Sequence, residues 1–163
     1  MTKSDLFQPV DAEVRAQGQA MIRAASAASL SFLQPGTLLP SVTRVALATD
    51  RAGHPVALIS TLASHTAALE SNPNCALLIG DPGPKGDPLT HPRLTLHCTA
   101  EFVLRDNDGY ANLRAFFLEQ RPKSKLYIDF PDFRFVRFIA HEGLMNGGFA
   151  KAYRFTPQDL VPI

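Results

Sequence analysis

Residues 58–73, LISTLASHTAALESNP, constrain the fold of this chain more than any other segment. An apolar run typical of a strand ends in two hydroxyl residues, and a helix-like stretch begins three residues later and is closed by Asn72 and Pro73. A turn from a strand into a helix brings side-chain hydroxyls close to the unpaired amides of the first helical turn. We therefore predict an anion site, suited to phosphate, that uses the hydroxyls of Ser60, Thr61, Ser64 and Thr66.

A simpler interpretation of the same turn stays open from the residues alone. Serine is a preferred N-cap residue, so capping the helix could be the sole role of Ser64, with the other hydroxyls solvated by water. The two interpretations differ in what the free amides of the first helical turn face, which is either a bound anion or solvent.

Length and charge limit the classes of protein that this chain can belong to. Its 163 residues with 45% hydrophobic content predict one domain, 1–163, with a helical segment, 1–35, packed on it. A net charge of +1 argues against nucleic acid and anionic membranes as partners. No apolar run reaches membrane-spanning length and the N-terminus lacks a signal-peptide pattern, so we expect a cytoplasmic protein. Cys75 and Cys98 have no metal-site spacing, which predicts buried thiols and no metal.

Hydrophobic periodicity divides the chain into helices and strands without an internal repeat. The pattern predicts helices over 11–33, 64–71 and 107–120, and strands over 42–49, 55–60, 75–79, 93–104, 133–140 and 144–155. The last two strands would form a hairpin around 141–143. Long antiparallel strands in consecutive hairpins favour a barrel, and no glycine-rich phosphate loop is present, so the predicted fold class is α+β with a six-stranded antiparallel barrel.

Several phrases in order resemble the FMN-binding split barrel of the pyridoxamine 5'-phosphate oxidase superfamily, and more closely its haem-utilisation (HugZ-type) branch. The phrases are LISTLASHTAAL (58–69), GDPLTHPRLTLHCTAE (86–101), LYIDFPDFRFVRF (126–138) and GGFAKAY (147–153). The resemblance covers residues 40–153. It implies a homodimer of split β-barrels with two FMN sites along the subunit interface, and a small-molecule substrate.

The resemblance also implies cofactor-binding residues. In the oxidases, strand-ending hydroxyls and a Ser-Arg-Lys triplet hold the flavin phosphate and the ring edge; here the corresponding residues are Ser60, Thr61, Ser64, His65 and Thr66. A permanently charged arginine is thus replaced by His65, which is mostly neutral near pH 7. The missing charge is expected from Arg44, two positions from the phosphate arginine of the oxidases, or from Arg93, which aligns with a glutamine facing the flavin. Arg93 is equally well explained as a surface strand residue.

Most of the oxidase substrate site has no counterpart in this sequence. The tyrosine that holds substrate phosphate corresponds to Phe117, and the C-terminal Arg-x-His has no equivalent in TPQDLVPI. Only Arg121 remains, with Lys125 nearby. We therefore expect a protein that does not oxidise pyridoxamine phosphate, and the sequence indicates no catalytic residue.

Three functions stay open after this comparison. The first is an FMN-dependent oxidoreductase acting on an unidentified small molecule. The second is a haem-binding or haem-utilisation protein, for which His91 and His141 lie in segments that could reach a ligand, whereas His54 and His97 have structural contexts. Haem-using relatives carry their ligand in a C-terminal extension, so the resemblance favours FMN. The third is a dimeric scaffold without a cofactor. In each case the aromatic strands of 130–155 are expected to supply the dimer contact.

Overall fold

The computed structural model describes residues 6–148 and 151–161. Its strands are β1 (Ala27–Leu33), β2 (Pro40–Thr49), β3 (Pro55–Ser60), β4 (Asn74–Ile79), β5 (Arg93–Val103), β6 (Phe133–Asn146) and β7 (Ala152–Phe155). Its α-helices are α1 (Ala12–Ala24), α2 (Ser64–Ser71), α3 (Tyr110–Gln120) and α4 (Pro157–Leu160). Short 3-10 helices occupy Pro88–Thr90 and Pro122–Leu126. Within the described ranges, no helix has the length and apolar character needed to cross a membrane.

The strands form one antiparallel sheet that closes on itself. The order is β3-β2-β1-β4-β5-β6-β7, and a further pairing of β3 with β6 closes strands β1 to β6 into a six-stranded barrel. β7 adds to the outside edge of β6. The α+β barrel predicted from the sequence is therefore confirmed.

Two apolar clusters hold the barrel together. The larger cluster fills the interior and includes Leu30, Leu47, Leu94 and Phe138, all of which are almost fully buried. The smaller cluster lies between the barrel wall and α3, where Phe117 packs edge-on against the Phe135 ring at 5.2 Å. Alternation along β2 and β3 sends successive side chains to one cluster or the other. The outer face of both strands is thus covered by α3 at one end and left open at the other.

The sequence prediction was wrong at residues 25–33, which it assigned to the first helix. α1 ends at Ala24, and the following residues form β1 with a strict alternation of buried and half-buried positions. Alanine and serine fit either periodicity, so only the pairing of β1 with β2 and β4 selects the strand.

The predicted hairpin around 141–143 was also wrong. β6 runs without interruption from Phe133 to Asn146, and the turn lies beyond it, before β7. Gly143 suggested a turn, but it serves close packing instead, because a Cβ atom there would lie 3.0 Å from a Leu160 methyl.

Candidate functional site

The turn from β3 into α2 is shaped by contacts that the sequence could not reveal. The Ser60 hydroxyl donates to the Asp132 carboxylate at 2.7 Å, and the Thr61 amide donates to the Asp132 carbonyl at 2.7 Å. The buried Thr66 hydroxyl donates to the Ser60 carbonyl at 2.5 Å. Two of the four predicted anion-binding hydroxyls therefore already have partners within the protein.

The remaining donors of this turn are free. Ala63, not Ser64, occupies the N-cap position, and its side chain makes no capping hydrogen bond. The amides of Leu62 and Ala63 donate to Ser60, whereas those of Ser64 and His65 have no partner in the described part of the chain. The hydroxyls of Thr61 and Ser64 are equally unpartnered there. Four donors thus remain free at one helix start, where the helix dipole favours an anion.

Arg44 lies on the open outer face of β2. It is exposed and makes no ion pair or hydrogen bond within the described ranges. β2 pairs with β3 from Leu47↔Ala57 to Thr49↔Pro55, and Arg44 lies three residues before this pairing, opposite Ser29 of β1. Arg44 is therefore an unpaired positive charge on the strand next to β3, outside the part of β2 that is paired with it.

His65 is the second residue of α2 and lies beside the barrel wall. Its ring lies 6.1 Å from that of Phe32, centroid to centroid, and burial lowers the pKa of His65 below its usual value. The imidazole is therefore neutral near pH 7 and offers either one N–H donor or one lone pair to a ligand.

Three other predicted site residues lie elsewhere or have other partners. Arg93 starts β5, three strands from β2 and roughly 14 Å across the sheet by strand spacing, and it donates to the Leu89 carbonyl at 3.2 Å. Lys125 is exposed in the 3-10 helix Pro122–Leu126. Arg121 donates to the carbonyls of Leu47, Gln120 and Ala25, each at 2.6 Å.

The other histidines have structural contacts, with one exception. Both His91 nitrogens are hydrogen-bonded within its own loop, to the Gly83 amide at 3.3 Å and the Lys85 carbonyl at 2.9 Å. His97 pairs with Glu142 at 3.1 Å, and His141 lies 2.6 Å from the Thr99 hydroxyl. In the described part of the chain, only His54 and His65 have rings without a hydrogen-bond partner.

Asp132 is the site residue that sequence reasoning missed. Nothing in its sequence context indicates that it would hold residues 60 and 61, which lie more than 70 positions earlier. No local signal marks this contact, because the antiparallel pairing of β3 with β6 creates it.

Comparisons with known proteins agree with the fold. No protein-family model matches the chain. One solved structure is 42% identical over 96% of this chain and 100% of its own, with a TM-score of 0.86. The heme binding protein from Mycobacterium smegmatis is 24% identical over 93% of this chain and 61% of that one, with a TM-score of 0.82. A pyridoxinephosphate oxidase family protein from Clostridium acetobutylicum is 15% identical over 93% and 99%, with a TM-score of 0.68. The chain therefore shares the split-barrel fold of these structures.

One curated relative has a haem-related name. The chloroplastic non-canonical heme oxygenase HOZ of Arabidopsis thaliana is 40% identical over 108 residues, which are 66% of this chain and 32% of that protein. The chain thus spans about a third of the length of that relative. The two named solved structures are less than 25% identical to this chain and support the fold alone.

Proposed function

We propose that this protein binds FMN and acts as an oxidoreductase on a small molecule, with the flavin phosphate at residues 60–66. The observation that carries the proposal is the set of free donors at the start of α2. These are the amides of Ser64 and His65 and the hydroxyls of Thr61 and Ser64. Free amides and hydroxyls grouped at a helix N-terminus match the chemistry of a phosphate dianion, and unpaired Arg44 on the neighbouring strand is the cation that we assign to it.

The residues of the turn divide into two roles in this proposal. Ser64, Thr61 and the amide of His65 donate to the phosphate, and Arg44 supplies the full positive charge. Ser60 and Thr66 hold the backbone in place through their internal hydrogen bonds. When bound, FMN would supply hydride or electron transfer, and the protein would orient it.

Flavin titration tests this division of roles. FMN affinity is measured by quenching of flavin fluorescence, with Arg44→Gln and Ser64→Ala compared with wild type. Each variant loses a hydrogen bond to the ionised phosphate, so binding should weaken about tenfold or more for Ser64→Ala and for Arg44→Gln, which also loses a full charge. Two exposed residues away from the turn provide matched controls, Arg23→Gln on α1 and Ser71→Ala at the other end of α2. Wild-type affinity in both site variants would contradict the proposal.

Haem binding is the second candidate function. It is favoured by the 40% identity to a heme oxygenase over 108 residues and by the neutral, unpartnered imidazole of His65, because neutral imidazole is the form that binds iron. The visible spectrum of freshly purified protein separates the candidates: flavin bands support FMN, a Soret band supports haem, and a colourless protein contradicts both. A Soret band that shifts in His65→Ala but not in His54→Ala would assign the ligand.

We also propose that the protein is a homodimer. Phe135, Phe138 and Phe155 are buried within their own barrel, whereas Phe130 is 53% exposed, so within the aromatic segment 130–155 that the sequence suggested, Phe130 is free to make a dimer contact. The open outer wall of β2 and β4 presents Val42 and Leu78, which are 68% and 43% exposed. Sedimentation at micromolar concentration should show a dimer that Leu78→Lys weakens. A monomer that still binds flavin would overturn the proposal.

A further inference from the structure

A cavity of about 190 Å³ lies between the turn that joins β2 to β3 and the first two turns of α3. Three charged residues line it together with small and apolar ones: Asp50, Arg51, Ala52, Gly109, Asn112, Leu113, Phe116 and Arg137. These residues lie outside 60–66, so the cavity is separate from the proposed phosphate site. Sites for drug-sized ligands usually have volumes of about 300–1,000 Å³, so this cavity suits a smaller molecule, of roughly ten non-hydrogen atoms, and not FMN or haem.

The cavity has one more positive charge than Asp50 can neutralise. Asp50 is only 8% exposed, and both of its carboxylate oxygens have partners within the protein. Oδ1 accepts the His54 amide at 2.9 Å, and Oδ2 accepts the Nε–H group of Arg137 at 2.7 Å. The ion pair of Asp50 and Arg137 is neutral as a whole, so the charge of Arg51 gives the cavity a net charge of +1.

The guanidinium of Arg137 is fixed and still has free donors. Its Nε atom is bonded to Asp50, whereas its two terminal nitrogens, Nη1 and Nη2, have no hydrogen-bond partner in the described part of the chain. Glu101 lies opposite Arg137 on β5, but it forms no ion pair with it and does not line the cavity. Two parallel N–H groups on a fixed guanidinium match the two oxygens of a carboxylate.

Arg51 provides the second guanidinium of the cavity. Its guanidinium carbon lies 4.7 Å from the centre of the Phe116 ring, and the side chain makes no ion pair or hydrogen bond within the described ranges. Stacking on the ring face restrains the guanidinium and leaves the N–H groups at its edge available. Leu113 and Phe116 add apolar surface. A net charge of +1 next to apolar surface suits an organic monoanion better than inorganic phosphate.

We propose that this cavity binds a small organic monocarboxylate. The carboxylate accepts hydrogen bonds from the terminal nitrogens of Arg137 and from Arg51, and the carbon skeleton lies against Leu113 and Phe116. The site uses none of the donors of 60–66 and is too small for flavin or haem. Its failure in the experiments below would therefore leave the proposed function unchanged.

An NMR titration of the full-length protein with benzoate tests this site. Benzamide is the matched probe, because it has nearly the same shape and no charge. Benzoate should shift the amides of residues 50–53, 109–116 and 137, and it should bind about tenfold more tightly than benzamide, because a carboxylate makes charge-assisted hydrogen bonds. If benzamide or inorganic phosphate binds as tightly as benzoate, the cavity is not a site for an organic monocarboxylate.

Arg51→Gln tests the contribution of the unpaired charge. The residue is exposed, so the substitution leaves the core intact, and it should weaken benzoate about tenfold with a smaller effect on benzamide. Arg23→Gln, at an exposed position of α1 away from the cavity, is the matched control and should leave benzoate affinity unchanged. Equal benzoate affinity in wild type and Arg51→Gln would overturn the proposal.

A second pair of variants leaves both arginines in place. Ala52 is exposed and lines the cavity, so Ala52→Glu and Ala52→Gln add side chains of equal length without entering the core. Ala52→Glu should weaken benzoate about tenfold more than Ala52→Gln, because only the glutamate repels the carboxylate and competes for the guanidinium groups. Equal benzoate affinity in the two variants contradicts the proposal, as does an absence of benzoate shifts at the cavity in the wild type.

Discussion

Ser60 and Asp132 lie 72 residues apart, yet the Ser60 hydroxyl donates to the Asp132 carboxylate at 2.7 Å. The same aspartate accepts the Thr61 amide on its main-chain carbonyl, so the end of β3 and the segment before β6 form one hydrogen-bonded unit. A hydroxyl already bonded to a carboxylate must give up that bond to reach a phosphate. Substitutions at the internally bonded hydroxyls should therefore change stability first, and substitutions at the free donors should change ligand affinity first.

Thr66→Ala tests the first half of this division. Thr66 is 1% exposed and its hydroxyl donates to the half-buried Ser60 carbonyl, which in the alanine variant would keep only the Ala63 amide as donor. We expect a loss of about 0.5–1.5 kcal/mol in the free energy of unfolding, measured in urea, the net value of one hydrogen bond. Thr66→Ser should recover part of it, and exposed Ser71→Ala should stay within about 0.5 kcal/mol of wild type. A Thr66→Ala variant as stable as wild type would show that the bond does not hold the turn.

Gly18→Ala should change stability in two opposite ways. Inside a helix, alanine is more stable than glycine by about 1 kcal/mol. However, the added Cβ would lie 2.9 Å from the edge of the Phe155 ring, which is buried against α1. Overpacking of this kind costs about 1–3 kcal/mol, so we expect net destabilisation in urea unfolding.

A double-mutant cycle identifies the cause of that loss. In a Phe155→Leu background, Gly18→Ala should become neutral or stabilising, because the smaller side chain removes the contact. If Gly18→Ala destabilises equally in both backgrounds, the contact with Phe155 is not responsible.

The two cysteines should make stability depend on alkaline pH. They face each other across β4 and β5, and burial raises the pKa of Cys75 to about 12. Burial, and then the nearby Cys75, raise the pKa of Cys98 as well. Each thiol ionises near its ordinary pKa only when the chain unfolds. The stability linked to both thiols is therefore fully present below pH 9 and is lost progressively as pH rises above it.

Urea unfolding at pH 7, 9 and 10 measures this effect. The wild type should lose more free energy of unfolding between pH 7 and 10 than a Cys75→Ala variant, because the variant lacks one of the two linked groups. Other groups also titrate in this range, so the difference between the two slopes is the relevant quantity. Equal slopes would mean that the Cys75 thiol ionises equally easily in both states.

Most of the fold could be predicted from the sequence. Strands with distinct alternation, such as β5, and turns that contain glycine, such as the one at Gly53, have local sequence patterns that indicate them, and both are present in the structure. β1 was missed because alanine and serine satisfy both helical and strand periods, and its partners lie on β2 and β4. Long-range pairing, which a single sequence does not display, decided that case.

The sequence indicated the position of the strand-to-helix turn in the chain but not the hydrogen bonds within it. The strand-to-helix turn at 60–66 lies where the residues indicated, and four of its donors are free. Asp132 accepts the Ser60 hydroxyl, so that hydroxyl is not free. Arg121 donates to carbonyls of β2 and of Ala25, just after α1. Such contacts join distant segments, so residue type and spacing do not reveal them.

The last prediction concerns the substrate, and it depends on how Arg121 is used. In the oxidases this arginine and a nearby tyrosine hold the substrate phosphate; here the guanidinium donates to three carbonyls at 2.6 Å, and the tyrosine position is the fully buried Phe117. Each lost charge-assisted contact costs about 1.5–3 kcal/mol, so two should reduce specific turnover about 150-fold to 25,000-fold.

We therefore expect that the protein forms no aldehyde from pyridoxamine phosphate. Turnover is measured by the absorbance of the aldehyde product and by oxygen uptake. Bleaching of the flavin by dithionite in the same sample is the control, because it shows that the cofactor is present and reducible. Steady turnover would contradict this prediction. It would require the two N–H groups of Arg121 that are not bonded to carbonyls, or exposed Lys125, to supply the phosphate contact, since the Phe117 side chain has no donor.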